Sequence, residues 1–281
     1  MKAAALVAAL AVLRGAAAQG VNVDVAARHL QPGELVVITF DAPPASDRPV
    51  VVRAFNRAIT PFVDEDGKLR ALVGIDLDVK PGTYRVTIRG AGIDVHRDLT
   101  VEPKTFRTRR LTVDPDFVTP PASVAERITQ EAALPESTWR SSAPERFWSA
   151  GFVRPVKEPA NSAFGTRSIF NGLPRNAHGG ADFLSATGTP VLAPNAGRVV
   201  VARELYFSGN TVIVDHGLGA FSMLAHLSSI DVRESELVER AAIVGRVGAT
   251  GRVTGPHLHW AMRINGSRVD PLSVLDLLGT P

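Results

Sequence analysis

The chain contains no cysteine. Disulfides, thiolate nucleophiles, cysteine-type zinc sites and cysteine-linked lipid anchors are therefore excluded, and any chemistry must run on nitrogen and oxygen groups. An excess of one charge is missing too. Thirty-one basic against 28 acidic residues leave +3 with histidine neutral, a balance too weak and too scattered to point to nucleic acid. No apolar run reaches the roughly 20 residues that a bilayer-spanning helix requires. What remains is ordinary globular stock, 281 residues that are 45% apolar and 21% charged. That suffices for two modest domains, each with its own core.

The amino terminus points to export. Lys2 precedes an apolar run from Ala3 to Leu13, and Ala16-Ala17-Ala18 offers the small side chains that signal peptidase needs near Gln19. Residues 1–18 are read as a secretory signal, which places the protein in the periplasm or outside the cell. Its apolar run is too short for a lasting anchor, so no stable membrane insertion is expected after cleavage. Arg14, between the run and the alanines, leaves the cut site open.

From residue 20 to 103, short β-rich runs such as Leu35–Phe40, Val50–Phe55, Leu72–Leu77, Thr83–Ile88 and Ile93–Leu99 are separated by Gly, Pro and Asp. In Tyr84–Ile88 apolar and polar side chains alternate, as in a strand with one wet face. The pattern predicts a small immunoglobulin-like antiparallel β-sandwich. Residues 104–150 read as a connector. It has a basic stretch, Lys104–Arg110, taken as a solvated face with contact to an anionic wall polymer as the sharper alternative. It also has prolines at 115, 120 and 121 and a short helix over Ala122–Ala133, with Ser123 as candidate N-cap and Glu126 three residues on. From Gly151 to about residue 277 the texture is strand, glycine turn, strand, so the fold class is mainly β with a second, larger antiparallel domain.

Histidines concentrate in that second domain: five of seven, His178, His216, His226, His257 and His259, follow residue 177. In His257-Leu258-His259, a strand would turn both imidazoles to one face and Leu258 to the other. Taken alone, His-x-His is a weak metal signal. In His178-Gly179-Gly180-Ala181-Asp182, the paired glycines favour a turn that folds a histidine and a carboxylate together, although Asp182 alone is equally an ordinary turn residue. His226, flanked by Ala225 and Leu227, reads as a satisfied core histidine when taken alone, and His216 as a structural residue at a turn. His29 and His96 read as surface residues.

Taken together, Phe164-Gly165-Thr166-Arg167, the His178–Asp182 run, Gly188-Thr189-Pro190-Val191, Gly209–Gly217, Ala225-His226-Leu227 and Gly251–His259 resemble the lysostaphin-type (LytM-like) zinc metalloendopeptidases, over roughly Pro155 to Leu275. The resemblance implies a two-sheet antiparallel β domain with a groove. It makes His178, Asp182 and His259 the zinc ligands, and His226 and His257 the catalytic histidines. It also implies hydrolysis of peptide cross-links in bacterial peptidoglycan. Two departures stand out: Leu224 sits where many members have Tyr, which puts substrate contacts in question, and Ala241-Ala242 replaces a common Gly-Gln. The competing expectation is a catalytically inactive scaffold that binds wall or activates another hydrolase. The first domain is expected to bind wall or a partner, or, with the connector, to limit access to the groove.

Overall fold

The structure, a computed structural model, describes residues 11–14, 21–41, 48–162 and 164–279. Most of the expected signal segment therefore lies outside the described residues. Ala11–Arg14 forms a strand. The chain divides into two compact units, Met1–Lys104 and Thr105–Pro281.

In the first unit the described strands are β1 (Ala11–Arg14), β2 (Val23–Ala27), β3 (Leu35–Phe40), β4 (Val51–Ala54), β5 (Arg57–Ile59), β6 (Phe62–Val63), β7 (Leu69–Gly74), β8 (Gly82–Gly90) and β9 (Ile93–Val101). They form two sheets, ordered β1-β2-β3-β7-β6 and β5-β4-β8-β9. The period-2 pattern explains the packing. Val23, Val25 and Ala27 of one sheet and Val86, Ile88, Ile93 and Val95 of the other join one buried apolar cluster, while intervening residues such as Asp94 and His96 stay exposed.

The second unit begins with β10 (Thr108–Leu111), two single 3-10 turns, and α1 (Ala125–Thr138). Ser123 lies within the 3-10 turn Ala122–Val124 rather than at the α-helix N-cap, and α1 runs on through Pro135. A proline there forfeits one backbone bond. Tertiary packing offsets that loss: Leu134 and Trp139 lie against the cluster Val201, Ile213 and Phe221, and the Trp139 ring meets Phe221 edge-on at 5.2 Å.

Then follow β11 (Ala160–Ser162), β12 (Arg167–Phe170), β13 (Leu173–Pro174), β14 (Gly180–Phe183), β15 (Pro190–Leu192), β16 (Gly197–Leu205), β17 (Gly209–Gly217), β18 (Ala220–Ile230), β19 (Leu237–Val238), β20 (Ile243–Val247), β21 (Leu258–Ile264), β22 (Ser267–Val269) and α2 (Pro271–Leu278). The main sheet is ordered β11-β14-β21-β18-β17-β16-β19, with β15, β20 and β22 paired beside it. A smaller sheet, β10-β12-β13, joins the start of this unit to its middle by parallel pairing of β10 with β12.

Residues 105–150 are thus woven into the second unit. The buried Asp215 carboxylate accepts hydrogen bonds from Ser142 Oγ and the Ala143 N–H, both at 2.7 Å, and the Phe147 N–H donates to the His216 carbonyl at 3.1 Å. Among the described residues no helix is long and apolar enough to cross a membrane.

Candidate metal centre and its groove

The antiparallel pairing of β14 with β21 sets Asp182 directly opposite His259. Residues opposed in register project to the same face, so the carboxylate and the imidazole meet: Asp182 Oδ1 lies 2.9 Å from His259 Nδ1. His178 precedes β14 and is held by reciprocal backbone bonds, its N–H donating to the Thr166 carbonyl and its carbonyl accepting from the Gly165 N–H. Its Nε2 lies 2.9 Å from Asp182 Oδ1 and 3.0 Å from His259 Nδ1. Gly180 makes this closure possible. A Cβ there would lie 2.4 Å from the Trp260 carbonyl oxygen and 2.8 Å from His259 Cε1. The role of the second glycine is therefore steric, since the His259 ring occupies the space a side chain would need.

His226 reaches the same place by a different device. Between Val212↔Leu224 and Asn210↔Leu227 the β17–β18 register slips, and His226 has φ +65°. This is a β-bulge, which re-aims a side chain within a strand. β18 continues to Ile230, so His226 lies inside the strand. The His226 ring lies 4.9 Å from that of His257 and 6.0 Å from that of His259. The Nδ1–H groups of His226 and His257 donate to the Thr250 carbonyl (2.9 Å) and the Gly255 carbonyl (2.8 Å). That fixes the tautomer of each neutral ring and leaves Nε2 as an acceptor. Leu258, between the two histidines of His-x-His, is fully buried, as alternation requires.

The electrostatics favour a cation. Burial works to raise the Asp182 carboxyl, but hydrogen bonds from His178 and His259, together with their charge, outweigh it and hold the group far below the usual carboxylate range. Burial lowers the His259 imidazole. Burial, reinforced by the charges of His259 and His257, pushes His226 down to about 3, so that ring is neutral at physiological pH. Two imidazole nitrogens and one carboxylate oxygen within about 3 Å of one another form a donor set that suits a tetrahedral divalent ion and leaves a position open.

These five side chains line a groove of about 630 Å³. Sequence reasoning missed other contributors to it. Arg109, read as part of a solvated stretch, alternates inward on β10 between exposed Thr108 and Arg110. It donates to Ser168 Oγ at 3.1 Å and brings Nη2 to 3.9 Å from Asp182 Oδ2. The only available signal was the period-2 pattern of a single strand, which is too short to read. Arg175 and Arg252 also line the groove.

Leu224 is fully buried, facing away from the groove, while its neighbour Met223 lines it. Ala241 takes φ +66°, a conformation for which glycine is the ordinary choice. His216 is fully buried outside the groove. Its Nδ1–H donates to the Ala196 carbonyl, its Nε2 meets Ser222 Oγ (each at 2.8 Å), and Phe152 packs edge-on against it. His29 and His96 are exposed in the first unit.

Residues 176–271 match peptidase family M23. The chain is 40% identical over 95 residues to the peptidoglycan DD-endopeptidase ShyA of Vibrio cholerae, covering 34% of this chain and 22% of that protein. It is 41% identical over 97 residues to the DD-carboxypeptidase/endopeptidase Mpg of Neisseria meningitidis, with 34% and 22% covered. The match thus spans about a fifth of the length of these relatives. A crystal structure of a candidate peptidase M23 from Pseudomonas aeruginosa is 32% identical and covers 89% of this chain and 96% of that one, with a TM-score of 0.70. With the His-Asp-His cluster, the groove and a near full-length structural relative all in agreement, this chain belongs to peptidase family M23.

Proposed function

We propose that the protein is a zinc-dependent endopeptidase that hydrolyses the peptide cross-links of bacterial peptidoglycan, at the DD bond for which its relatives are named. The observation that carries the proposal is the convergence of His178 Nε2, Asp182 Oδ1 and His259 Nδ1 within 3.0 Å of one another beside two further imidazoles, those of His226 and His257. His178, Asp182 and His259 would hold the ion. When bound, zinc supplies the Lewis acidity that makes water a nucleophile near neutral pH.

The chain's own groups do the rest. His226 and His257 each donate Nδ1–H to a carbonyl, which leaves Nε2 as the atom available for acid–base work. One of them orients the attacking water and accepts its proton as oxygen bonds to the scissile carbonyl carbon. The other orients the same water by accepting its second O–H at Nε2. The C–N bond then breaks, and the abstracted proton passes to the leaving amine. Activity falls on acidification, since a protonated imidazole cannot ligate metal.

The likeness to wall hydrolases agrees with reading residues 1–18 as an export signal and with a periplasmic or secreted location. For the first unit we infer an immunoglobulin-like module that contacts wall or a partner.

The test is incubation of the zinc-loaded full chain with isolated peptidoglycan and identification of the released muropeptides. Cross-linked dimers should decline to monomers, chelation should stop the reaction, and zinc should restore it. A protein carrying one equivalent of metal that leaves the cross-links intact would support the inactive-scaffold reading instead.

A further inference from the structure

Three arginines line the groove, and they differ in what they are committed to. Arg109 is engaged with Ser168 and approaches Asp182. Arg175 donates through Nη2 to the Val118 carbonyl at 2.6 Å, while its Nε is buried with no hydrogen-bond partner.

Arg252 is the unusual one. Its guanidinium lies between two rings, 5.1 Å from the centroid of Phe170 and 4.8 Å from that of Phe207, a stacking that fixes the plane of the fork and its direction. The backbone locks it as well: the Arg252 N–H donates to the Phe207 carbonyl at 2.8 Å. Gly251, at φ +74°, lets the loop approach so closely that a Cβ would stand 2.4 Å from the Gly209 nitrogen. Yet the Arg252 side chain has no hydrogen-bond acceptor and no carboxylate partner among the described residues. Burial, and after it the charge of Arg175, both oppose its charged form. A half-buried planar fork that lies against two rings and beside a second cation is well placed to pair with an anion. Among the described groove residues the sole carboxylate is Asp182, already bonded by His178 and His259.

We propose that Arg252, with Arg175 beside it, is a carboxylate-binding subsite that recognises a free carboxylate of the peptide lying in the groove and so positions the scissile bond. The inference rests on the peptide-substrate part of the preceding function. Stem peptides of the bacterial wall carry free carboxylates, and a guanidinium engages a carboxylate through two parallel N–H···O bonds. Specificity then turns on charge as well as on shape. A stem whose carboxylates are amidated offers an NH2 group that clashes with the donors of Arg252.

The test uses the full, metal-loaded chain and two synthetic stem peptides, one with free carboxylates and one amidated, with binding followed by calorimetry and cleavage followed on cross-linked versions of both. The wild-type protein should prefer the free acid by about tenfold to a hundredfold, the range for a charge-assisted hydrogen-bonded pair. Arg252→Gln should bring the acid-to-amide ratio close to one, and Arg252→Lys, which keeps the charge but loses the fork and the stacking, should fall between. A wild-type ratio near one overturns the subsite without recourse to any variant, as does an Arg252→Gln protein of unchanged melting temperature that retains the preference. If the wild type cleaves both peptides alike with no preference, the peptidase reading stands and the subsite falls. If it binds the acid preferentially and cleaves neither, the subsite stands and the peptidase reading falls.

Discussion

Each unit has a buried carboxylate with close partners, Glu34 in the first and Asp182 in the second, and the two are treated in opposite ways. In the first, Glu34 is fully buried and closed off by cations: Arg28 Nε and Nη2 both reach it at 3.0 Å and Lys104 Nζ at 2.9 Å. Burial works to raise its pKa, and the charges and hydrogen bonds of Arg28 and Lys104 bring it below the usual value. In the second, Asp182 is 8% exposed and bonded by two imidazoles whose nitrogens converge on the same point. Its nearest full cation, Arg109, stays at 3.9 Å. Glu34 is closed off by cations of its own chain, whereas Asp182 keeps an oxygen beside imidazole nitrogens in a donor set that suits a divalent ion. Burial of an acid is therefore no sign of function by itself. Its partners decide.

That contrast can be broken by exchanging what each carboxylate has. The largest effect is expected from Asp182→Ala or His259→Ala, which should abolish stoichiometric metal binding, measured by elemental analysis, and cleavage with it, while the first unit melts as before. A truncated chain beginning at Gly151 should come next. It loses β10, α1 and the Ser142 and Ala143 donors to Asp215, so it should melt well below one beginning at Thr105, which keeps them. Faster cleavage by the Gly151 chain at equal stability would instead favour the idea that this segment limits access.

In the first unit, Glu34→Gln should cost toward the lower end of the ~3–5 kcal/mol typical of breaking a buried ion pair, because the Arg28 and Lys104 side chains, 18% and 23% exposed, retain contact with water. Denaturant unfolding measures this, and cleavage by the folded fraction should be unaffected.

The smallest effect is expected from His216, outside the groove. Burial pushes it down to about 4 from 6.5. Between those values the unfolded chain binds the proton and the fold does not, so the associated stability is present above about pH 6.5 and lost as pH falls toward 4. The amount is on the order of 3 kcal/mol. His216→Gln should flatten that part of the stability profile. An unchanged slope would mean that the acid sensitivity lies elsewhere.

Much of the strand pattern was legible locally. Leu35–Phe40 was read with its observed bounds, and the Thr83–Ile88 and Ile93–Leu99 strands differ from those observed only by extension at their ends. A period-2 burial pattern is written in neighbouring residues and needs no knowledge of the partner strand. The α-helix was misplaced by a few residues because Pro135 lies inside it, and what holds it there is packing against Val201, Ile213 and Phe221, which no window of sequence contains. His226, read alone, looked like a core residue. Its place in the groove depends on a bulge that only the mismatch between β17 and β18 reveals.

The sequence by itself determined the chemical inventory: no thiol, five histidines after residue 177, a glycine pair before Asp182 and a His-x-His. These follow from residue identity and spacing, which fix what groups exist and which face of one strand they share. The tertiary structure alone decided that Asp182 and His259 stand opposite each other, that Arg109 enters the groove from a segment more than seventy residues earlier, and that Arg252 is clamped between Phe170 and Phe207 with no anion of its own. Those relations join positions far apart in the chain, and strand register and loop closure, set by the packing of the whole unit, are what bring them within bonding distance.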